Sequence, residues 1–529
     1  MRKRNQWPAV PLVVGLAALL AAGCGADGRS AAGTGKRVVM GMSDRVLSTD
    51  PAAGYDPGSW LLFNNVFQSL LSFPKGGSAP QPEAAESCAF DDRTSRVFRC
   101  TLRTGLTFTN GHDLTSRDVK HSFERTLAIA HRDGPAVLLS SIGRIDTPDE
   151  RRVIFRLKAS DATFPQKIAS GAGSIVDHRV YPRNTLRTDH EAVGSGVYRL
   201  DSFDRQEARF SVNDAYRGPA RPQNSGMTMK FFQGDQPALA AAVRAGDVDL
   251  AYRGLESAAV ARIEKPTGGA PDLKVVEGTS AEVQHLVFNL RDPIAKRRGV
   301  RQAVAYLIDR NLLARDVYQR TVQPLYSTVP AGITAHKTPY FDLYGDRPQR
   351  AKARAALRAD GIKDKVRLTL WGTPVRYGPG TNAGLRLIAE QLNASGLFTA
   401  DVRSAEFSAY EKGISDGDYG VYVKGWVPDY PDPDNFTAPF FGPDNVLANH
   451  YDAGDITARW LPHTASQADR ADTVGDFARI QTKVARDLPV IPLWQGKQYA
   501  VADEDITGLQ WTLDATTVFR FWEIAKTGD

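Results

Sequence analysis

Three aspartates crowd into the stretch "GWVPDYPDPDNF" (425–436): Asp429, Asp432 and Asp434. Carboxylates this close together can chelate calcium, neutralise a cationic ligand or cap backbone amides in turns. The stretch lacks the glycine and terminal glutamate of an EF-hand loop, which counts against calcium. Residue chemistry alone makes Asp429 a turn-former in a proline-rich loop, with Asp432 and Asp434 as further turn or capping residues. The nine histidines are dispersed and show no zinc-ligand spacing, so neither metal nor cofactor is expected. No H-E-x-x-H, G-x-S-x-G or C-x-x-C occurs. "GTGK" (33–36) is no phosphate loop: Ser30 stands where the first glycine belongs, and Arg37 replaces the following Ser/Thr. The chain is therefore not expected to be an enzyme, although a triad assembled from distant residues would leave no such trace.

Each of the three cysteines has a separate context. Cys88 and Cys100 lie in "ESCAFDDRTSRVFRCTLR", where polar "DDRTS" separates two β-prone runs, a hairpin pattern. On facing arms they would form a disulfide in an oxidising compartment; two separate buried thiols are the other reading. Cys24 follows a basic "MRKR" start and the uncharged stretch "PAVPLVVGLAALLAAG", whose 16 residues fall short of the roughly 20 that span a bilayer. Residues 1–23 thus read as an export signal. "LLAAGC" resembles a bacterial lipobox in which Cys24 becomes the acylated N-terminus, with Ala21 in place of the usual leucine; ordinary cleavage with an incidental Cys24 is the alternative. Residues 24–36, rich in small polar residues, read as a flexible tether.

Without residues 1–23 the chain carries 63 basic against 60 acidic residues, a balance that argues against nucleic-acid binding by bulk charge. The 529 residues suffice for two to four domains. The periodicity predicts a strand at "RVVMGMS" and an amphipathic helix through Leu62, Val66, Leu70 and Phe73. A strand-rich insert follows over 76–190, with one clear helix whose Thr115 and Asp118 form a capping box. From 227 onward strands and helices alternate. Among them is one helix carrying Val300, Val304, Leu307, Ile308 and Leu312 on a single face. Near the end, "LPVIPLWQGKQYAV" (488–501) is an apolar β-prone run with two prolines that passes into polar residues, which suits a strand at an edge or crossing position.

Taken in order, several stretches resemble the family-5 solute-binding proteins of bacterial ABC importers, the dipeptide- and oligopeptide-binding proteins. They are "FRCTLRTGLTFTNGHDLTSRDVKHSFERTL" (98–127), "VGSGVYRL" (193–200), "VRAGDVDLA" (243–251), "HLVFNLRDPIAKRRGVRQAVAYLIDRNLL" (285–313), "GWVPDYPDPDNF" and "DLPVIPLW" (487–494). In "VGSGVYRL", Ser195 and Val197 depart from the family's Thr and Pro.

The resemblance implies an α/β fold in the form of a two-lobed clamp with an extra subdomain on the first lobe. Lobe I would span 37–286, including the subdomain at about 76–190. Lobe II would span 287–490, and 491–529 would return to lobe I, with "HLVFNL" and "LPVIPLW" as the two crossings. The implied function is capture of a peptide between the lobes and delivery to a permease and its ATPase, by a monomer lipid-anchored on the outer face of the cell membrane. Asp429 would hold the ligand's ammonium and Trp426 would wall its first pocket, with Gly425 also among the ligand-binding residues. Trp494 and Gln498 would lie at the cleft mouth, although Trp494 equally suits the core. A non-peptide solute (oligosaccharide, opine or metal chelate) is the alternative ligand, and an exported hydrolase a more distant one.

Overall fold

A computed structural model describes residues 35–264, 273–373, 380–443 and 445–528. The signal segment, Cys24 and nearly all of the 24–36 tether lie outside the described residues. Two long antiparallel strands, Leu273–Phe288 and Val490–Asp503, form the spine of an 11-stranded sheet. Beyond Leu273–Phe288 lie Val421–Trp426, Val366–Gly372 and Phe398–Ser404. Beyond Val490–Asp503 lie Leu250–Tyr252, Val38–Met42, Gly226–Phe231, Glu207–Val212 and Tyr198–Phe203. Separate cores form along this sheet. One gathers Val38, Met40, Phe63, Met229, Leu250, Phe519 and Phe521; another gathers Leu286, Val300, Val304, Leu370, Ile388, Val423 and Ile491. Both draw on residues of the C-terminal strand or its continuation, so the last 40 residues hold both cores together.

The strand Val490–Asp503 is interior to the sheet, not at an edge. It tolerates Pro492 because the pairing shifts register there, between Gln284 and His285, and the Pro492 carbonyl accepts the Nε–H of buried Arg310 at 2.7 Å. The polar residues after Trp494 do not end the strand. Gln495 instead donates to the Ser280 and Ala331 carbonyls (2.7 and 2.9 Å) and stitches a neighbouring segment to it.

Two expected helices are shorter than their periodicity. The first, Pro57–Val66, is capped by Asp56 and stops at Phe67, leaving Leu70 and Phe73 outside. Gly196 donates its N–H to the Val66 carbonyl at 2.8 Å, and a Cβ at Gly194 or Gly196 would collide with that same backbone. The second, Arg298–Leu307, breaks at extended Ile308, and Asp309 caps a new turn through the Leu312 amide. Apolar spacing continues across the break because both pieces pack on one core.

A four-stranded antiparallel sheet, Ala85–Phe90, Val97–Leu102, Arg152–Leu157 and Ile142–Asp146, packs with the helix Ser116–Ile129 around a separate core. The capping box of Thr115 and Asp118 is present. Cys88 and Cys100 sit directly opposite each other in this sheet and are disulfide-bonded, with 4.1 Å between their Cα atoms. On the chain-entropy account, replacing both by alanine should cost about 3 kcal/mol in urea unfolding. Thiol titration of the denatured, unreduced protein should find neither sulfur free, and two reactive thiols at these positions would refute the bond.

Candidate functional site

The strand Val421–Trp426 pairs antiparallel with the first spine strand, which puts Gly425 opposite Gln284 and Trp426 opposite Val283. The chain then enters the proline-rich loop. Asp432 accepts the Asp434 amide at 2.9 Å and starts a short turn, Pro433–Phe436. That turn presents the buried Asn435. Its Oδ1 accepts the Trp426 indole N–H and the Asp429 backbone N–H, both at 3.0 Å, and its Nδ2 donates to Asp429 Oδ2 at 3.3 Å. One amide therefore fixes the loop, the indole and the carboxylate together. Trp426 also meets Phe440 edge to face, with ring centroids 5.3 Å apart.

Across from this loop, Tyr55 donates its hydroxyl to Asp429 Oδ1 at 2.5 Å. Tyr55 precedes the Pro57–Val66 helix and stacks at a tilt on Trp60. The contact joins chain segments 374 residues apart. Burial raises the Asp429 carboxyl above the usual range, and the Tyr55 and Asn435 donors partly oppose it. Burial and the neighbouring carboxylate push the Tyr55 phenol up as well. Among the described residues, no lysine or arginine forms an ion pair with Asp429. The nearby cation Lys167 is held by Asp161 at 2.8 Å.

The other two aspartates are engaged differently. Asp432 receives a two-pronged bond from Arg470, at 2.8 and 2.7 Å. Asp434 accepts the Tyr430 hydroxyl at 3.3 Å; burial, then the Asp432 charge, lift it from the ordinary 3.8 up to about 6. The fold thus favours protonated Asp434. This stabilisation is complete below about pH 4 and is lost as the pH rises through 6. Asp434→Asn, which needs no proton, should gain on the wild type between pH 4.5 and 7.5 by up to about 3 kcal/mol in urea unfolding. Identical pH slopes for the two proteins would refute this.

The structure brings Gly425, Trp426 and Asp429 together, and Gln284 pairs with Gly425 on one side and with Trp494 on the other. Trp494 is 6% exposed, donates its indole N–H to Gln284 Oε1 at 3.0 Å and packs on Tyr318. Gln498 is buried too: its Oε1 accepts the Tyr252 hydroxyl at 2.8 Å, and its Nε2 donates to the Asp514 carbonyl at 2.5 Å. Both side chains are held by partners within the sheet and its flanks. Tyr55 and Asn435, which the sequence reading missed, complete the surroundings of Asp429. No residue pattern flags Tyr55, since its partner is so distant in the chain.

The four-stranded subdomain closes over this region. Ala162 N–H donates to the Ala465 carbonyl at 2.8 Å and Ser95 Oγ to the Ser466 carbonyl at 2.9 Å, while Tyr430 is buried in the subdomain core. Asp429 thus lies where the proline-rich loop, the segment before the first helix and the subdomain converge.

Residues 79–447 match the family described as bacterial extracellular solute-binding proteins, family 5, middle region. The chain belongs to this family. A dipeptide-binding protein of Pseudomonas aeruginosa is 24% identical over 498 residues, covering 87% of this chain and 90% of that one. Among solved structures, HbpA2 from Haemophilus parasuis superposes with a TM-score of 0.81 at 18% identity, covering 92% of this chain and 99% of that one. A periplasmic binding protein from Helicobacter pylori, solved with the peptide STSA, gives 0.72 at 19% identity, covering 93% and 98%. The fold of this family-5 protein is the two-lobed clamp. The family's members are extracytoplasmic substrate-binding components of transporters rather than enzymes. No helix of the described residues is long and apolar enough to cross a membrane.

Proposed function

We propose that this family-5 protein is the lipid-anchored binding component of an ABC importer, capturing peptides between its lobes for a membrane permease. The observation that carries this reading is Asp429. It is a largely buried carboxylate oriented by a tyrosine hydroxyl and an asparagine amide, and among the described residues no lysine or arginine forms an ion pair with it. A buried carboxylate in that setting favours a ligand that brings its own positive charge, as a peptide's ammonium terminus does. Trp426 and Phe440 beside it offer an apolar wall for the first side chain. The exposed strand edges of a bound extended peptide would supply affinity without sequence preference. The name of the Pseudomonas relative and the peptide bound to the Helicobacter protein support the same ligand class. Closure of the lobes on the ligand would be the state read by the permease.

Native mass spectrometry of the protein purified from its own host tests the reading. Co-purified peptides, left intact on prolonged incubation, are expected. A sugar, opine or metal chelate in their place would establish the non-peptide alternative, and cleaved peptides would indicate a hydrolase.

Anchoring through Cys24 rests on the lipobox resemblance of "LLAAGC". Several acyl chains make such an anchor stable where one would be marginal. Cys24→Ser should move the protein from the membrane to the soluble fraction, and unchanged membrane fractionation would refute acylation.

A further inference from the structure

We propose that His285 sets the specificity of the pocket for the peptide's first side chain, selecting one with an uncharged, hydrogen-bonding tip, such as tyrosine, over an apolar one of similar size. This rests on the peptide reading above and adds to it the chemistry of the ligand's first residue. His285 lies on the strand Leu273–Phe288, directly opposite Lys424 of the strand that ends in Trp426. Val283 is opposite Trp426 itself. Side chains two apart on a strand share a face, so His285 lies about 7 Å deeper into the lobe on the face that carries the indole. Phe440 joins the two rings. It meets Trp426 at 5.3 Å and His285 at 5.4 Å between centroids, edge to face in both cases. A side chain that enters beside Trp426 and follows this aromatic wall arrives at the imidazole.

The ring is placed to take a partner from outside the chain. His285 is 1% exposed, and among the described residues neither of its ring nitrogens has a hydrogen-bond partner. The large majority of buried polar side-chain atoms in folded proteins have one, so a single ring that leaves two unpaired calls for an explanation. Lys424, directly opposite, does not supply a partner: its ammonium is held by both oxygens of Glu411, at 2.8 and 2.7 Å. The clusters that flank this face are apolar. Trp426 packs against two of them, one with Val287, Tyr422 and Phe440, the other with Val283, Val329 and Phe436. Burial, with no charge opposing it, pushes the imidazole's pKa down to about 3. The neutral ring offers one N–H donor and one acceptor, whichever nitrogen carries the proton. A charged tip would be desolvated here without a counter-charge. A hydroxyl or carboxamide instead exchanges its water for a ring nitrogen, and an apolar tip leaves both nitrogens unpaired.

Titration calorimetry of the full chain with Tyr-Ala-Ala and Phe-Ala-Ala, which differ by one hydroxyl, tests this. Tighter binding of Tyr-Ala-Ala by roughly 3- to 10-fold is expected, the worth of one neutral hydrogen bond. His285→Phe keeps a planar ring beside Phe440 and removes both nitrogens. It should bind the two peptides equally, with Phe-Ala-Ala at its wild-type affinity. Nitrogen-15 NMR of the histidine-labelled wild type reads the same contact without needing a variant to fold. A ring-nitrogen resonance should move with Tyr-Ala-Ala and stay in place with Phe-Ala-Ala; shifts caused by lobe closure are common to both peptides, so the difference isolates the hydroxyl. Equal wild-type affinities, identical nitrogen spectra, or a preference undiminished in folded His285→Phe would overturn the proposal and leave the peptide reading standing. Failure of both peptides to bind would overturn that reading and this proposal with it.

Discussion

Asp429→Asn should weaken binding of a free-amine peptide roughly 30- to 5,000-fold, the equivalent of the 2–5 kcal/mol that follows loss of one partner of a buried charge pair. The substitution keeps the shape of the side chain, and the Tyr55 hydroxyl and Asn435 remain to hold it. What is lost is the charge. An N-acetylated version of the same peptide should bind the wild type poorly and lose far less when Asp429 is replaced, since it brings no ammonium. Calorimetry on the four combinations forms a double-mutant cycle. Equal losses for both peptides would return Asp429 to the role of a turn residue. The pH dependence has a defined sign. Ammonium binding needs the ionised carboxylate, and burial raises this group's pKa. Affinity for the free amine should therefore be full above that pKa and decline on acidification, starting at a higher pH than for an ordinary aspartate.

The second large effect concerns stability. Arg125 grips Asp50 with both terminal nitrogens, at 2.7 and 2.6 Å, and the two side chains are 1% and 0% exposed. The same guanidinium donates to the Pro182 and Thr185 carbonyls, both at 2.7 Å. It therefore ties the Ser116–Ile129 helix to the segment before the first helix, a few residues from Tyr55. Arg125→Met should destabilise the protein by about 3–5 kcal/mol, because Asp50 is left as a buried charge with no cation. Adding Asp50→Asn should recover part of that loss, and urea unfolding of the single and double variants separates the two contributions. A loss under 1 kcal/mol for Arg125→Met would mean that the pair contributes little.

Much of the fold is legible in the sequence because it rests on local rules. The alternation of apolar residues places the strands, and Thr115 with Asp118 places a helix start. Gly361 and Gly396, at φ of +73° and +71°, end two helices as expected. Local rules fail where tertiary contacts decide. The break at Ile308 hides behind continuous apolar spacing, and the Pro57–Val66 helix is stopped by Gly194 and Gly196, more than 120 residues away. Of the candidate site, the sequence supplies Trp426 and Asp429 through the resemblance. It does not supply Tyr55, whose partner Asp429 lies 374 residues away in the chain. The histidines show the same limit: His121 and His178 meet only in the fold, with their rings 6.2 Å apart.

The interior position of Val490–Asp503 also sets the order in which the molecule can be assembled. This strand fills the gap between Leu273–Phe288 and Leu250–Tyr252, yet it is made nearly last. At 5–20 residues per second, roughly 10–50 s of synthesis separate Tyr252 from the neighbour it pairs with. Until then the N-terminal half of the sheet has an open edge, and the other core lacks Ile491 and Leu493. The nascent chain therefore has no finished half to lock in early. A premature stop before Val490 leaves both cores without their seam.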